Sequence, residues 1–595
     1  MRVSNLLTYS AYWYQIFIQF DWKFRLQVAG HSTSAMLLYG KLSLKQIIAC
    51  VAIIFAAMTL ALHGSALKGE WRVDDPLIVL YVIEHPSVWG YFFSPEQWQS
   101  LGAPFFTPWL ILSFWMDFQM FGLNPAAFYA HHLLSVWFSA VLTFILLYRR
   151  VGTIWGGAAA SLFLIGAPVV VVSQQLMSRH YITGLVFAII AILCFLRARE
   201  RKNLFFLAMA ASFYLAAMLN KEIYASLPLV LFFIDEETLK ERLYAIAPFG
   251  FVAGVYIFWR AVMLGKLIGG YGGNRLYQAG NIMASIRSLM EIYFGMGWAV
   301  FAGSIVLLLT AGFLLVRKKG FRYPLVASML ALLLPLAAIN ITSDVILFRL
   351  GLFPWWGICV MVSFAVDRWV TRYSWRMFFI IVFVVVVIVQ SVATASSYKA
   401  IAMAIDVQGH FLWSHDNTRH GYIPSGKVAS DIAFQYATSA LRIAMHGGSY
   451  VAIPFIESAS LLADSLPIYQ YDTVCCCMKI SVNNEKTTSQ NAVPGLLQGV
   501  RVDRSIEGVE WEFKAPSDST CFIFFPMLNV TAQIPCSGKI FNNYPPWLQG
   551  DFRSLVYTNS GQWDISPILI FPQREEELLW SRESTGAPRS NSDPK

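Results

Sequence analysis

The chain has 595 residues, of which 57% are hydrophobic, 15% aromatic and only 13% charged. Soluble domains carry roughly 25% charged residues, so this composition excludes an ordinary soluble enzyme and predicts a membrane protein. The net charge of +9 does not indicate nucleic-acid binding, because the basic residues cluster at the ends of apolar segments. The clusters are Arg149–Arg150, 197–202, 317–319 and 368–376.

In chain order, repeated apolar segments predict membrane-spanning α-helices, since backbone groups in lipid must be paired within their own segment. These segments lack the alternating pattern of a membrane β-barrel. Segment 223–234 is short for a span and is predicted to be re-entrant or to form a hairpin with segment 204–219. About eleven spans are predicted, at residues 47–66, 126–147, 154–173, 182–197, 204–219, 223–234, 244–264, 290–316, 323–340, 350–366 and 377–396.

The basic clusters predict the topology, because loops rich in lysine and arginine stay in the cytoplasm. With the amino terminus inside, every cluster falls inside, and the loops at 67–125, 174–181, 220–222, 265–289 and 341–349 fall outside. The predicted fold class is an all-α polytopic membrane protein with an extracytoplasmic α+β or mostly β domain at the carboxyl end. The predicted parts are a cytoplasmic or interfacial segment (1–45), a transmembrane catalytic domain (46–396), the outer domain (397–580) and a disordered tail (581–595).

The five cysteines of the carboxyl-terminal part do not indicate a metal centre, because no Cys/His set has the spacing of a zinc site. If this part lies outside, Cys521 and Cys536 are expected to form a disulfide, since oxidising compartments permit such bonds. Neither a metal nor a cofactor is predicted.

The acidic pair Asp74 and Asp75 follows the first apolar span and is the first candidate for chemistry. A carboxylate can accept the proton of an attacking alcohol or amine. Two adjacent carboxylates repel each other, which raises one pKa and leaves the other group ionised. The alternative is a turn or helix cap, because Asp before Pro76 is ordinary turn chemistry.

Further polar residues stand in the other predicted outer loops. Arg179 and Arg349 could bind a phosphate, or each could be a headgroup anchor at the membrane interface. Charged residues at the depth of Lys221 and Glu222 are usually functional, although this pair could also only tie two helices together. The charge-derived topology places them at the same membrane face as Asp74 and Asp75. The predicted substrate-binding residues are Arg179, His180, Lys221, Glu222, Arg349 and His131, the last with a structural role as the alternative.

Several motifs resemble the GT-C glycosyltransferases, and most closely the branch of the protein O-mannosyltransferases and their transmembrane, tetratricopeptide-bearing relatives. The acidic pair in WRVDDP (71–76) is similar to the pair in that family's first outer loop. LAAMLNKEIYASLPLVLFFID (215–235) resembles its Lys-Glu segment and is the most specific match. The other similar stretches are FGLNPAAFYAHHLLSVWFSAVLTFILLYR (121–149), LMSRHYITGLVFAIIAILCFL (176–196) and VYIFWRAVMLGKLIGGYGG (255–273).

The resemblance implies a bundle of membrane helices with a short helical layer around an active site at the outer surface. It implies a polyprenyl- or dolichyl-phosphate sugar donor, with Asp74 or Asp75 at the catalytic acidic position and Arg179, Lys221 and Arg349 at the donor phosphate. The chain departs from these relatives in two ways. Thr107-Pro108 stands where they usually carry Arg-Pro, and the tetratricopeptide tail is absent.

The predicted function is an inverting hexosyltransferase of the GT-C type. It would transfer a sugar from a lipid-phosphate donor to a glycan, lipid or protein acceptor, with membrane lipids but no nucleic acid as further partners. The predicted location is a bacterial inner membrane with a periplasmic active site. The alternatives are a transporter or flippase of polyprenyl-linked glycans and a non-catalytic membrane scaffold. A carboxylate pair in an outer loop, rather than at the bilayer midplane, favours the enzyme.

Overall fold

The computed structural model describes the helical part of the chain from residue 43 to residue 414 with six interruptions, and shorter stretches of the carboxyl-terminal part. Residues 1–50 form one compact unit and residues 51–595 a second, and residues 43–50 of the first unit are described. The described residues are 43–72, 74–101, 105–234, 238–265, 279–295, 344–369, 374–414, 421–423, 441, 468–472, 477–481, 495–505, 508–517, 519–525, 530–534, 536–540, 551–558, 563–566, 569–570, 577–581 and 589–590.

The first long helix is followed by a layer of four short ones. Helix α1 (Leu44–His63) ends in a 3-10 turn, Gly64–Lys68. Proline stands in the first turn of α2, α4 and α5, where its missing N–H has no helical acceptor and is not needed. Segment 67–125, which was predicted to be an outer loop, is largely helical. Its helices are α2 (Asp75–Glu84), α3 (Val88–Phe93), α4 (Pro95–Leu101) and α5 (Pro108–Phe121).

Helix α6 (Pro125–Ile165) consists of two arms joined at Gly152, whose φ of 82° and ψ of 175° are not helical. A Cβ on Gly156 would lie 3.2 Å from the backbone nitrogen of Tyr148. In one continuous helix these positions would be about 12 Å apart, at a rise of about 1.5 Å per residue. The chain therefore reverses at Gly152, and the two arms correspond to the predicted spans 126–147 and 154–173.

The following helices alternate with tight turns. Lys202 takes a left-handed conformation (φ 50°), and the Asn203 side chain caps the next helix by accepting from the Phe205 N–H. Thr238 and Glu241 form a reciprocal capping box at the start of α11. The helices are α7 (Ala167–Ser173), α8 (Arg179–Arg201), α9 (Leu204–Asn220), α10 (Leu227–Ile234), α11 (Leu239–Leu264), α12 (Ala279–Phe294), α13 (Asp344–Trp369) and α14 (Ser374–Ser414).

Within the described part of the chain, five helical segments are long and apolar enough to cross a bilayer, so the protein is an integral membrane protein. Three shorter apolar helices, Leu204–Asn220, Glu222–Phe233 and Phe348–Phe364, match further predicted spans. The predicted span 323–340 and most of 290–316 lie outside the described residues, so the count of eleven stays a prediction. The five segments are Leu44–Lys68, Pro125–Ile165, Leu176–Arg201, Leu239–Leu264 and Phe383–Val407.

The described stretches of the carboxyl-terminal part form three β-sheets, the smallest of which has the order β1-β2-β3. The two five-stranded sheets, β10-β9-β6-β7 with β11 beside β9, and β13-β12-β4-β5-β8, share one apolar core that includes Trp511, Trp580 and Phe552. The strands are β1 (Gly421–Ile423), β2 (Ile468–Asp472), β3 (Cys477–Ser481), β4 (Gly499–Ser505), β5 (Gly508–Lys514), β6 (Ser519–Phe525), β7 (Val530–Ile534), β8 (Ser537–Ile540), β9 (Asp551–Thr558), β10 (Trp563–Ile565), β11 (Leu569–Ile570), β12 (Glu577–Ser581) and β13 (Arg589–Ser590).

Three features of α14 and of this part bear on the predictions made from the sequence. The predicted disulfide is present, with the Cα atoms of Cys521 and Cys536 5.1 Å apart. The predicted boundary at residues 396/397 falls inside α14, which continues to Ser414. Arg589–Ser590, in the segment predicted to be disordered, pairs with β12. The domain limits themselves stay predictions.

Candidate functional site

Polar side chains from distant parts of the chain meet at one end of the helices. Arg72 joins three segments there, the loop after α1, the turn between α7 and α8, and the carboxyl-terminal part of α14. It donates to Asp406 and to the Gln174 carbonyl. At the opposite end, Arg149 and Arg197 both face Glu200, at 4.0 and 3.1 Å. Two of the basic clusters that predicted the topology are therefore brought together, away from the acidic pair.

Asp75 is a buried carboxylate, 1% exposed, and both of its oxygens accept backbone hydrogen bonds. Oδ2 accepts from the Arg72 N–H at 2.9 Å, and Oδ1 accepts from the Met177 N–H at 3.1 Å. Burial raises the pKa of Asp75 to about 7, against the opposing effect of the Arg72 N–H and charge. The carboxylate thus joins the loop after α1 to the turn before α8.

Asp74 stands at the cap of α2 and is only partly buried. Its side chain accepts no capping hydrogen bond from the helix backbone. The Asp75 side chain, by contrast, accepts two backbone hydrogen bonds from outside α2. Burial raises the pKa of Asp74, and the positive charge of Arg349 opposes that rise. Among the described residues no group donates a hydrogen bond to the Asp74 carboxylate, so of the two adjacent carboxylates Asp74 is the better placed to meet an incoming group.

Arg349 lies near the start of α13 and is 8% exposed. Its Nε donates to the Gln175 side-chain oxygen at 2.9 Å, and the Ser178 hydroxyl donates to the same oxygen at 2.9 Å. The Gln175 amide nitrogen in turn donates to the Tyr398 hydroxyl. These bonds hold the guanidinium of Arg349 where its charge acts on Asp74.

Lys221 lies in the turn between α9 and α10 and is 3% exposed. Its Nζ stands 3.1 Å from the centre of the Phe105 ring and 5.3 Å from the Tyr181 ring centre, positions that favour a cation. Burial lowers the pKa of Lys221 to about 7, and the Glu222 carboxylate opposes that shift. His180 lies within reach of the charges of both Lys221 and Arg349.

Glu222 accepts a hydrogen bond from Arg260 Nε at 3.2 Å. Arg260, on α11, is 8% exposed, and its charge also acts on Lys221. Arg260 is not among the predicted substrate-binding residues, although it lies within one of the stretches that resemble the GT-C family (FWR, 258–260). Its position inside an apolar span was the available signal, because charges there are usually functional.

Arg179 and the partly exposed His131 both contact Asp117, and the charge of Asp75 also acts on Arg179. Arg179 donates to Asp117 Oδ2 and to the Phe128 carbonyl, both at 2.6 Å, and to the Ser113 hydroxyl at 3.3 Å. His131 Nδ1 lies 2.7 Å from the other Asp117 oxygen. The structure thus brings together Asp74, Asp75, Arg349, His180, Lys221 and Glu222, whereas the contacts of Arg179 and His131 favour a role in joining α5, α6 and α8.

Across the described part of the chain, no group of three or more histidine, cysteine, aspartate and glutamate side chains is arranged to hold a metal ion. The polar groups described above are acidic, basic and amide side chains. Groups of this kind can accept a proton or donate hydrogen bonds to phosphate oxygens. The independence of the site from metals stays a prediction.

No protein-family model and no curated protein matches the chain. Among solved structures, the chain is similar to ArnT from Cupriavidus metallidurans bound to undecaprenyl phosphate, at 14% identity over 66% of this chain and 69% of that chain, with a TM-score of 0.37. The apo state of the same protein gives 14% identity over 66% of this chain and 68% of that chain, with a TM-score of 0.35. At these TM-scores, the two likenesses do not establish a shared fold.

Proposed function

We propose that the protein is a membrane glycosyltransferase that moves a sugar from a polyprenyl- or dolichyl-phosphate donor to an acceptor at the outer face of the membrane. The observation that carries the proposal is a partly exposed carboxylate, Asp74, on which the charge of the buried Arg349 acts. The order and spacing of the motifs that resemble the GT-C glycosyltransferases support the same class of reaction.

Asp74 acts as the general base. It takes the proton of an acceptor hydroxyl or amine while that oxygen or nitrogen attacks the anomeric carbon of the donor sugar. The bond between this carbon and the phosphate oxygen breaks, and its electron pair leaves with the lipid phosphate. One displacement of this kind inverts the configuration at the anomeric carbon.

Arg349 and Lys221 stabilise the phosphate as it leaves. Both are buried basic side chains, and Arg349, or Lys221 in its protonated form, supplies positive charge that stabilises a developing anion without reorganisation during the reaction. Glu222 accepts a hydrogen bond from Arg260, and the charges of both residues act on Lys221. His180 is buried, and the charges of Lys221 and Arg349 both act on it.

The proposal assigns Asp75 a supporting role, because both of its oxygens accept backbone hydrogen bonds. Arg179 and His131 are placed outside the phosphate site on the strength of their bonds to Asp117. The proposed donor sugar is a hexose, and the proposed location is a bacterial inner membrane with the site facing the periplasm. The positive-inside distribution of the basic clusters supports that orientation.

The proposed function is tested with protein purified in detergent and labelled undecaprenyl- and dolichyl-phosphate hexoses, each presented singly with candidate lipid and glycan acceptors. The expected result is release of the lipid phosphate, together with a product whose intact mass increases by one hexose residue. Retention of every donor without turnover, with binding intact, would favour the flippase alternative. Absence of both binding and turnover would favour the scaffold.

A further inference from the structure

The outer part of α14 presents a stripe of residues at four-residue spacing toward the candidate site. Tyr398 and Ala402 are buried, and both pack with Val171 of α7. Asp406 follows one turn later, and Lys399 stands exposed beside Tyr398. Residues four apart share one face of a helix, so Tyr398 and Asp406 reach the site from the same side of α14.

Asp406 holds the loop that precedes the acidic pair. Its two oxygens accept from Nε and Nη2 of Arg72, both at 2.6 Å, and Oδ1 also accepts from the Glu70 N–H at 3.2 Å. The Arg72 side chain is 4% exposed, so this bidentate pair is largely shielded from water. The Arg72 N–H in turn donates to Asp75, directly beside Asp74.

Tyr398 holds the cation that faces Asp74. Its hydroxyl accepts from the amide nitrogen of Gln175, which leaves the amide oxygen of Gln175 to accept from Arg349. An amide rotated by half a turn would present its nitrogen to Arg349, and two donors would then face each other. Arg349, which can only donate, therefore fixes this orientation of the Gln175 amide, and the Tyr398 hydroxyl holds the other end of the amide in place.

We propose that Tyr398 and Asp406 are positioning residues. Tyr398 positions Arg349 through Gln175, and Asp406 positions the loop that carries Asp74 through Arg72. This inference rests on the proposed function, because it deepens the account of the same site. Neither residue touches the reacting atoms. The carboxyl-terminal part of the chain follows α14 directly. The helix that carries this stripe therefore connects that part covalently to the candidate site.

The experiment compares wild type with Asp406→Asn, Asp406→Glu and Tyr398→Phe, and uses Lys399→Gln on the exposed side of α14 as the matched control. The substrates are labelled undecaprenyl- and dolichyl-phosphate hexoses. Because a small misplacement of reacting groups can reduce rate by about 100-fold, Asp406→Asn and Tyr398→Phe are expected to lower kcat by roughly 10- to 100-fold, with KM for the donor changed less than about twofold. Asp406→Glu keeps the charge and should recover part of the rate. A merely structural role would lower the folded fraction but leave the kcat of the folded protein unchanged.

Hydrogen–deuterium exchange provides a readout that is independent of activity. Asp406→Asn is expected to speed amide exchange in residues 69–75 and Tyr398→Phe in residues 174–178, while Lys399→Gln changes neither. Unchanged exchange in both segments, or unchanged kcat in folded variants of an active enzyme, overturns the positioning role. If wild type transfers no sugar but both segments respond as expected, the proposed function fails and the two structural linkages stand.

Discussion

At the scale of single residues, two adjacent carboxylates have opposite surroundings. Asp75 uses both oxygens to accept backbone hydrogen bonds, while Asp74 accepts no capping bond and is partly exposed beside the charge of Arg349. A base must reach the proton that it removes, so Asp74 is the better candidate on geometry. The sequence marks the pair but cannot separate its members, because the two backbone donors to Asp75 come from residues 72 and 177.

The pH dependence of transfer should report Asp74. Ionised Asp74 is the active form, so kcat/KM falls as pH is lowered, with a midpoint above the ordinary carboxyl pKa of about 3.9 because burial raises the pKa of Asp74. The charge of Arg349 opposes that rise, so Arg349→Gln should move the acidic midpoint higher. Rate–pH profiles of the two proteins check this. A midpoint that stays in place or moves lower in the variant would remove Arg349 from the surroundings of Asp74.

The cations should act on the phosphate of the donor. Hydrogen bonds to charged groups contribute about 1.5–3 kcal/mol, so Lys221→Ala and Arg349→Ala should each weaken donor use by roughly 10- to 100-fold with any acceptor. The exposed Lys68, at the same end of the helices, supplies the control Lys68→Ala. Thermal stability is measured beside activity. Stable variants with unchanged donor affinity would contradict the phosphate site.

Glu222 changes the interpretation of the lysine variant. Because Glu222 accepts a hydrogen bond from Arg260, removal of Lys221 leaves that carboxylate with a cationic partner. Lys221→Ala is therefore expected to fold, and Lys221→Ala/Glu222→Ala should be less stable than the single variant because it leaves Arg260 without this carboxylate. The opposite order of melting temperatures would show that Lys221 is the principal partner of Glu222.

At the scale of helices, the network of Arg179, Asp117 and His131 joins α5, α6 and α8. Asp117 is fully buried and the Arg179 side chain is 1% exposed. Loss of one partner from a buried ion pair typically costs about 3–5 kcal/mol, whereas replacement of both by apolar groups can be neutral. Asp117→Ala should therefore destabilise the protein by that amount, and Asp117→Leu/Arg179→Met by much less. Equal losses, measured by unfolding in detergent, would contradict a stabilising ion pair.

Much of the helical part could be predicted from apolar runs alone, and the exceptions have physical causes. The hairpin at Gly152 was foreseen as two spans because polar residues interrupt the apolar run there. The layer of α2 to α5 was implied only by the family resemblance, since a search for long apolar segments misses short helices that begin at proline. The extension of α14 beyond residue 396 was missed for a related reason, as its outer part is held by the single stripe of Tyr398, Ala402 and Asp406.

The partners of individual charges could not be predicted. Asp117 lies in a predicted outer loop and is 62 residues from Arg179 along the chain. The sequence therefore does not indicate that these two side chains form an ion pair. The same applies to Arg72 and Asp406, which are 334 residues apart. Hydropathy places charged residues at an end of a helix, but tertiary packing decides which of them meet.

At the scale of the whole molecule, the distribution of the basic clusters predicts that the acidic pair and the carboxyl-terminal part lie on the outer side of the membrane. Single cysteines engineered at Lys68 and at an exposed strand position such as Leu579 should react with an impermeant thiol reagent in intact cells. A cysteine at Lys202, in the turn between α8 and α9, should stay protected until the membrane is opened. Labelling of position 202 from outside, with positions 68 and 579 protected, would reverse the orientation.

The disulfide between Cys521 and Cys536 belongs to the same account, since such bonds persist in oxidising compartments outside the cytoplasm. Alkylation of intact cells before reduction should therefore leave these two thiols unmodified. Recovery of both as free, alkylated thiols from freshly lysed cells would place this part of the chain in a reducing compartment.

The central claim is that Asp74 is the base of a sugar transfer, and it is tested most directly by Asp74→Asn. Asparagine keeps the size of the side chain and removes its capacity to accept a proton, so transfer of labelled hexose should fall by roughly 10²–10⁴-fold while the donor still binds. Glu84→Gln, an exposed carboxylate at the far end of α2, is the matched control and should transfer at the wild-type rate. Transfer by Asp74→Asn at the wild-type rate, with product identified by intact mass, would contradict the account.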